Sequence, residues 1–304
     1  MKSNTIKGYL FALIATLSFS NVYIFSKAAL NEVHLIQFGV IWCAFGVLFS
    51  FLFAAKNGKL KQIMELTKKQ KRILITLGIL EILTTTTFFL SINIIPDPSI
   101  TSFIGNIFPV MIMLGGIFIL KEKFGWVEII GGSLALIGTF VISYTGGTSL
   151  KTIFIAGTGV VFINAIFATT ATLVVKVHIK NLSPELFNLN RYLWLLVFAT
   201  IAFLIHGSSI IISPRAFGNI SLGAFLEFLA ILTVYYSYHY IEASRSAIVQ
   251  SLKGIFVLIG AFLVFKTLPA AHQFVGGMIS VLGVLVMTLA QAGLFKKKTK
   301  QLPE

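Results

Sequence analysis

The stretch from Lys121 to Ser143, KEKFGWVEIIGGSLALIGTFVIS, is answered later in the chain by Lys266 to Thr288, KTLPAAHQFVGGMISVLGVLVMT. Gly131, Gly132 and Gly138 fall on Gly276, Gly277 and Gly283 at one constant spacing, each set inside an apolar run long enough to cross a bilayer. An internal repeat constrains a fold more than any local motif does. It sets how many elements make one unit and where two units must meet.

The solvent for those runs is lipid. Hydrophobic residues make up 57% of the chain and charged residues only 11%, against about a quarter in a soluble domain; mean hydropathy is +0.93. A helix needs about 20 apolar residues to span the hydrocarbon core, and charged or turn residues cut the chain into ten such pieces. They cover Gly8 to Ser26, Leu35 to Ala55, Ile73 to Ile95, Ser99 to Leu120, Trp126 to Tyr144, Thr152 to Val175, Phe187 to His206, Ile220 to Ile241, Ser246 to Phe265 and Ala270 to Leu294. Barrel strands would instead show short alternation of apolar and polar residues. The expected fold class is therefore an all-α integral membrane protein of ten transmembrane helices.

The repeat extends toward the N-terminus: Gly8 matches Gly157, Lys27 matches Lys176, and Glu81 in the third span matches Glu227 in the eighth. Each copy holds five spans, residues 1–147 in the first and 148–304 in the second. An odd number of spans makes the second copy enter the membrane in the opposite sense, which predicts two inverted five-helix repeats with a site at their seam. The paired glycines, like Gly115-Gly116, lie inside helices. They read as close-packing positions and not as phosphate cradles, since no strand precedes them and no Walker-type lysine follows.

Net charge is +14, and the placement of the 24 basic residues decides its meaning. With the N-terminus inside, only Lys27, Lys151, Arg215 and Lys266 fall in outer segments, while Arg191 and Lys253 lie within spans. The basic loop between residues 56 and 72 and the lysine-rich tail fall inside. This is the positive-inside bias, and it predicts a plasma (bacterial inner) membrane protein with both termini cytoplasmic. Contacts with membrane lipids are implied, and a nucleic-acid partner is not. The N-terminal run is as long as a true span and has no clear cleavage site, so it reads as the first helix and not as a signal peptide. Cys43 is the sole cysteine, leaving no disulfide framework, no Cys-rich metal site and no implied cofactor.

Ionisable groups at bilayer depth are expensive and mark function by default. Glu81 lies about 13 Å along its helix from Arg72 at 1.5 Å per residue, and Glu227 is about as deep from the other side. Both are candidates for proton coupling. Glu227, Ile231, Tyr235 and Tyr238 share one helical face, as do Ser246, Gln250 and Lys253. Lys253, Gln250, Tyr235, Tyr238, His239, Asn21 and Asn164 form the candidate substrate-binding set, suited to a polar, zwitterionic or anionic small molecule. The competing bland reading pairs Glu227 with Lys253 to hold the bundle, and lets Asn21, Asn164, Asn93, Asn106 and His239 bridge helices. Arg191 either snorkels to the surface or lines the cavity. Pro109 is the expected kink or hinge of the fourth span, and Glu122 ties an inner loop to nearby basic groups.

Pro109, the acidic residue of Leu-Lys-Glu122, Trp126, and the run from Gly131 to Gly138 resemble the drug/metabolite transporter superfamily, specifically its ten-helix proteins built from two EamA-like domains. The second half is more divergent, with Gly254 at the place of Pro109 and Thr267 at that of Glu122. Arg191 matches an arginine common in the second helix of each repeat, where the first half has Trp42. The resemblance implies a secondary active transporter of a small metabolite, such as an amino acid or a related amphipathic compound. It would work by alternating access, as an exporter, with protons or a counter-transported solute as further partners. An importer or exchanger of anionic or phosphorylated metabolites is the alternative. A non-transporting scaffold or lipid-handling protein is the alternative of another class. An intramembrane enzyme is disfavoured: there is no Gly-x-Ser-Gly or His-Glu-x-x-His motif, and Asp97 is the only aspartate.

Overall fold

The computed structural model describes residues 2–120, 125–144, 154–207 and 210–291; Glu122 and the basic tail lie outside them. Among the described residues there are thirteen helical segments: the ten apolar runs account for twelve, and a short one lies in the basic loop between residues 56 and 72. These are α1 (Lys2–Leu30), α2 (Leu35–Lys56), α3 (Lys61–Met64), α4 (Lys68–Ile94), α5 (Pro98–Ile104), α6 (Ile107–Leu120) and α7 (Trp126–Ser143), then α8 (Thr158–His178), α9 (Pro184–His206), α10 (Pro214–Tyr240), α11 (Ala243–Ser251), α12 (Lys253–Phe265) and α13 (Ala271–Gln291). Six of them, α1, α2, α4, α8, α9 and α10, are long and apolar enough to cross a membrane over their described residues. Extended structure among the described residues is limited to an isolated bridge between Tyr144 and Phe154.

Local chemistry sets the helix ends. Thr67 and Gln70 form a reciprocal capping box at the start of α4, with Gln70 N donating to Thr67 Oγ1 at 3.2 Å and Thr67 N to Gln70 Oε1 at 2.9 Å. Ser183 and Ser213 cap α9 and α10, each followed by proline at the first helical position, where the missing N–H costs nothing. The α4 helix stops at Ile94 because Pro96 disfavours helical backbone at Ile95. Asp97 Oδ1 then accepts from Ser99 N at 2.8 Å and starts α5.

Two expected spans are interrupted. One breaks at Gly105 and Asn106, between α5 and α6; the other breaks at Leu252, between α11 and α12. Turn-type hydrogen bonds carry the chain through the breaks, from Asn106 N to Phe103 O at 3.1 Å and Phe108 N to Gly105 O at 3.0 Å in the first, and from Leu252 N to Val249 O at 3.2 Å and Ile255 N to Leu252 O at 3.1 Å in the second. Pro109 does not itself mark the break. It occupies the first turn of α6, where a backbone N–H would lack a helical partner anyway.

The helices pack in a pattern that repeats itself. α1 lies along α10, and α4 lies along α8. Since α1 matches α8 and α4 matches α10 in the sequence repeat, this is one contact made twice, each time between halves. α2 packs on α9 and α7 on α13, each against its own counterpart. The α7–α13 seam is glycine against glycine. A Cβ at Gly131 would lie 2.7 Å from the Gly283 carbonyl oxygen, and one at Gly276 would lie 2.9 Å from the Gly138 carbonyl oxygen. The matched glycines pair in reverse order, so these two helices run antiparallel with their backbones in contact.

Candidate functional site

A cavity of about 140 Å³ lies among α1, α4, α5, α6, α8, α9, α10, α11 and α12, so both halves line it. At about 10–15 Å³ per water centre, that is space for roughly ten waters, the scale of a small metabolite. Its walls mix Phe19, Tyr23, Phe88 and Phe108 with Thr84, Thr101, Asn164 and Gln250, and three helices contribute Glu81, Arg191 and Glu227.

The three charged residues form one buried cluster. Arg191 Nη1 donates to Glu81 Oε2, and Arg191 Nη2 donates to Glu227 Oε1 at 2.7 Å. The second oxygen of each carboxylate takes a neutral donor. Tyr235 OH donates to Glu81 Oε1 at 3.2 Å, and Trp42 Nε1 donates to Glu227 Oε2. All five residues are buried. Position explains the geometry: Glu81 and Glu227 lie mid-helix on the repeat-matched α4 and α10, and α9 inserts Arg191 between them. With all three groups ionised, two carboxylates share one guanidinium and the cluster holds one net negative charge. Buried pairs of this kind are poor sources of stability but costly to break.

Lys253 sits elsewhere in the same cavity, at the first position of α12. Its Nζ lies 5.7 Å from the centre of the Tyr23 ring, a cation–π contact. The ion pairs among the described residues do not include it. Glu227 therefore pairs with Arg191 and not with Lys253, and the two residues face one cavity without touching. Three more polar groups on the wall, the Thr84, Thr85 and Thr101 hydroxyls, are buried without a hydrogen-bond partner among the described residues.

The other residues singled out in the sequence divide clearly. Gln250, Tyr235, Tyr238 and Asn164 line the cavity. Asn164 also donates to Thr84 O at 2.6 Å, so part of its capacity bridges α8 to α4. Asn21 is exposed on the outside of the bundle and donates to Leu17 O in its own helix at 2.9 Å. His239 lies outside the cavity, in a cleft with Lys176 and Lys180. Asn106 is buried beside the α5–α6 break, its side-chain nitrogen and oxygen both without a partner. Arg191 is 5% exposed and does not snorkel. Sequence reasoning missed Tyr23 and Thr101 as wall residues. It also missed Trp42 as a partner of Glu227, although the shared repeat position of Trp42 and Arg191 carried that signal.

A solved structure described only as the crystal structure of a protein superposes with a TM-score of 0.71 at 14% sequence identity, over 97% of this chain and 99% of its own. At that identity the likeness concerns the fold. No curated protein sequence matches. The profile of the EamA-like transporter family matches twice, over residues 6–144 and 155–289. The chain thus carries two copies of that unit across most of its length, and it belongs to the EamA-like transporter family of membrane proteins, within the drug/metabolite transporter superfamily.

Proposed function

We propose that this protein is a secondary active transporter that moves a small polar or amphipathic metabolite, such as an amino acid, by alternating access. In this reading α5 with α6 and α11 with α12 each count as one interrupted span, and α3 lies outside the membrane. That gives ten spans in two inverted five-helix repeats, with both termini cytoplasmic in a plasma membrane. The antiparallel packing of α7 on α13 supports the inversion, because these are the same helix of the repeat. Interrupted helices beside a central site are a recurrent transporter device. Export as the direction rests on family resemblance.

The observation that carries the proposal is the cavity at the seam. It presents Lys253 without a carboxylate partner at one place and a charge cluster with one surplus carboxylate at another. Lys253 with the Thr101 hydroxyl suits an anionic group, the surplus carboxylate suits an ammonium group or a proton, and the phenylalanines suit an apolar part. The same Lys253 would serve an exchanger of anionic or phosphorylated metabolites.

Proteoliposomes loaded with mixed amino acids and organic anions test this. Lys253→Gln should reduce transport of the preferred solute tenfold or more, on the scale of about 1.5–3 kcal/mol for one hydrogen bond to a charged group. Unchanged transport of every solute would sink the site. An imposed proton gradient should drive the wild type but not Glu81→Gln or Glu227→Gln; equal gradient dependence in all three would remove proton coupling.

A further inference from the structure

Lys27 and Lys176 occupy matching repeat positions and make matching contacts. Lys27 Nζ, buried at the far end of α1, donates to Ile92 O and Ile95 O, both at 3.0 Å, and lies 3.4 Å from Asn93 O. Lys176 Nζ, at the far end of α8, donates to Tyr238 O at 2.9 Å and Ile241 O at 2.8 Å. Ile95 and Ile241 are the residues that close α4 and α10, and Ile92 and Tyr238 lie one turn earlier in each helix. Each ammonium thus satisfies carbonyls that a helix C-terminus leaves unpaired, at the negative end of its dipole.

The other half braces the same two helix ends. A Cβ at Gly157, which caps the start of α8, would lie 2.9 Å from Ile95 Cγ1; one at Gly8, near the start of α1, would lie 2.9 Å from Tyr240 Cβ. Each end is therefore held by a lysine from its own half and a close glycine contact from the other. The two places sit at opposite ends of the bundle, since Gly8 and Lys27 are about 28 Å apart along α1 at 1.5 Å per residue. Between them lies the cavity, whose wall includes Ser91 one turn before Ile95, and the side chain of Tyr238 whose carbonyl Lys176 holds.

We propose that Lys27 and Lys176 are positioning residues for transport: two copies of one clamp, each closing one mouth of the cavity, which release in turn as access switches. The proposal rests on the transporter reading above. Opening the mouth between α1 and α4 pulls Lys27 from the end of α4. Opening the mouth between α8 and α10 pulls Lys176 from the end of α10.

The test uses vesicles of known orientation, Cys43→Ser as background, and a single cysteine at Ser91 or Thr172, both on the cavity wall. Lys27→Met should raise labelling of a cysteine at 91 by an impermeant maleimide about tenfold, from the face that bears Ile95 only, as loss of hydrogen bonds to a charged group implies. Lys176→Met should do the same for a cysteine at 172 from the opposite face. If the methionine variants do not insert, Lys27→Gln and Lys176→Gln keep an uncharged amide N–H₂ donor group and should give smaller rises with the same sidedness. Unchanged labelling in folded variants, or both variants opening the same face, overturns the proposal. Face-specific opening in vesicles whose wild-type protein moves no solute supports the clamps and refutes the transporter reading instead.

Discussion

The two halves of this protein agree at their periphery and disagree at their centre. The glycines of the α7–α13 seam and the lysines at the ends of α1 and α8 recur in matching places, and at the centre only the two acids, Glu81 and Glu227, do. At the cluster the halves part. The first half places Trp42 where the second has Arg191, and Phe89 where the second has Tyr235. Glu81 is thus served entirely by the second half, through Arg191 and Tyr235, while the first half offers Glu227 only the indole of Trp42. Residues that build the frame make the same contacts in both halves. A solute with unlike ends is better met by a site with unlike walls.

The largest effect should come from removing the single shared cation. Arg191→Met leaves both carboxylates buried without a guanidinium and should destabilise the protein by about 3–5 kcal/mol, read as a large fall in detergent melting temperature together with loss of transport. If stability were kept, the cluster would not be the link between halves described above.

The two neutral donors test whether the halves are energetically unequal. Trp42→Phe and Tyr235→Phe each remove one hydrogen bond to a buried carboxylate and should cost about 1.5–3 kcal/mol. Tyr235→Phe also gives the second half the residue the first already has at that place. Similar losses would make the donors equivalent despite their different chemistry. A much larger loss for Trp42→Phe would reflect its packing against Phe38 and Phe89.

The seam should show the opposite behaviour, with sensitivity shared by both halves. Gly131→Ala and Gly276→Ala push a methyl group against a facing backbone and should each cost about 1–3 kcal/mol. The exposed Gly218 in α10 has nothing within 4 Å of such a methyl. Gly218→Ala should instead stabilise by about 0.5–1 kcal/mol through its helix preference. A clear asymmetry between positions 131 and 276 would contradict the equivalence of α7 and α13.

Much of this frame was legible in the chain itself. Apolar runs, the glycine repeat and the depth of Glu81 and Glu227 follow from spacing alone, because helix length and periodicity are local properties. The Glu81–Arg191–Glu227 bridge was not, since it joins residues more than thirty positions apart in every pairing and depends on how α9 is seated between α4 and α10. Tyr23 was missed because an aromatic on a hydrophobic helix carries no local mark distinguishing a cavity wall from a packed core. The break at Gly105 was masked by Pro109, the louder helix-breaking signal nearby, which the first turn of α6 accommodates.

The α7–α13 seam has a stoichiometric consequence. Its contact is self-matching, glycine to glycine on equivalent helices, so two unlinked and identical halves inserted in opposite senses could form it. Such a pair would hold two arginines at the cluster or none, and its two carboxylates would be matched by an even number of guanidinium groups. A single cation between two acids is possible only because both copies are written in one chain, where each is free to carry a different residue at the same place.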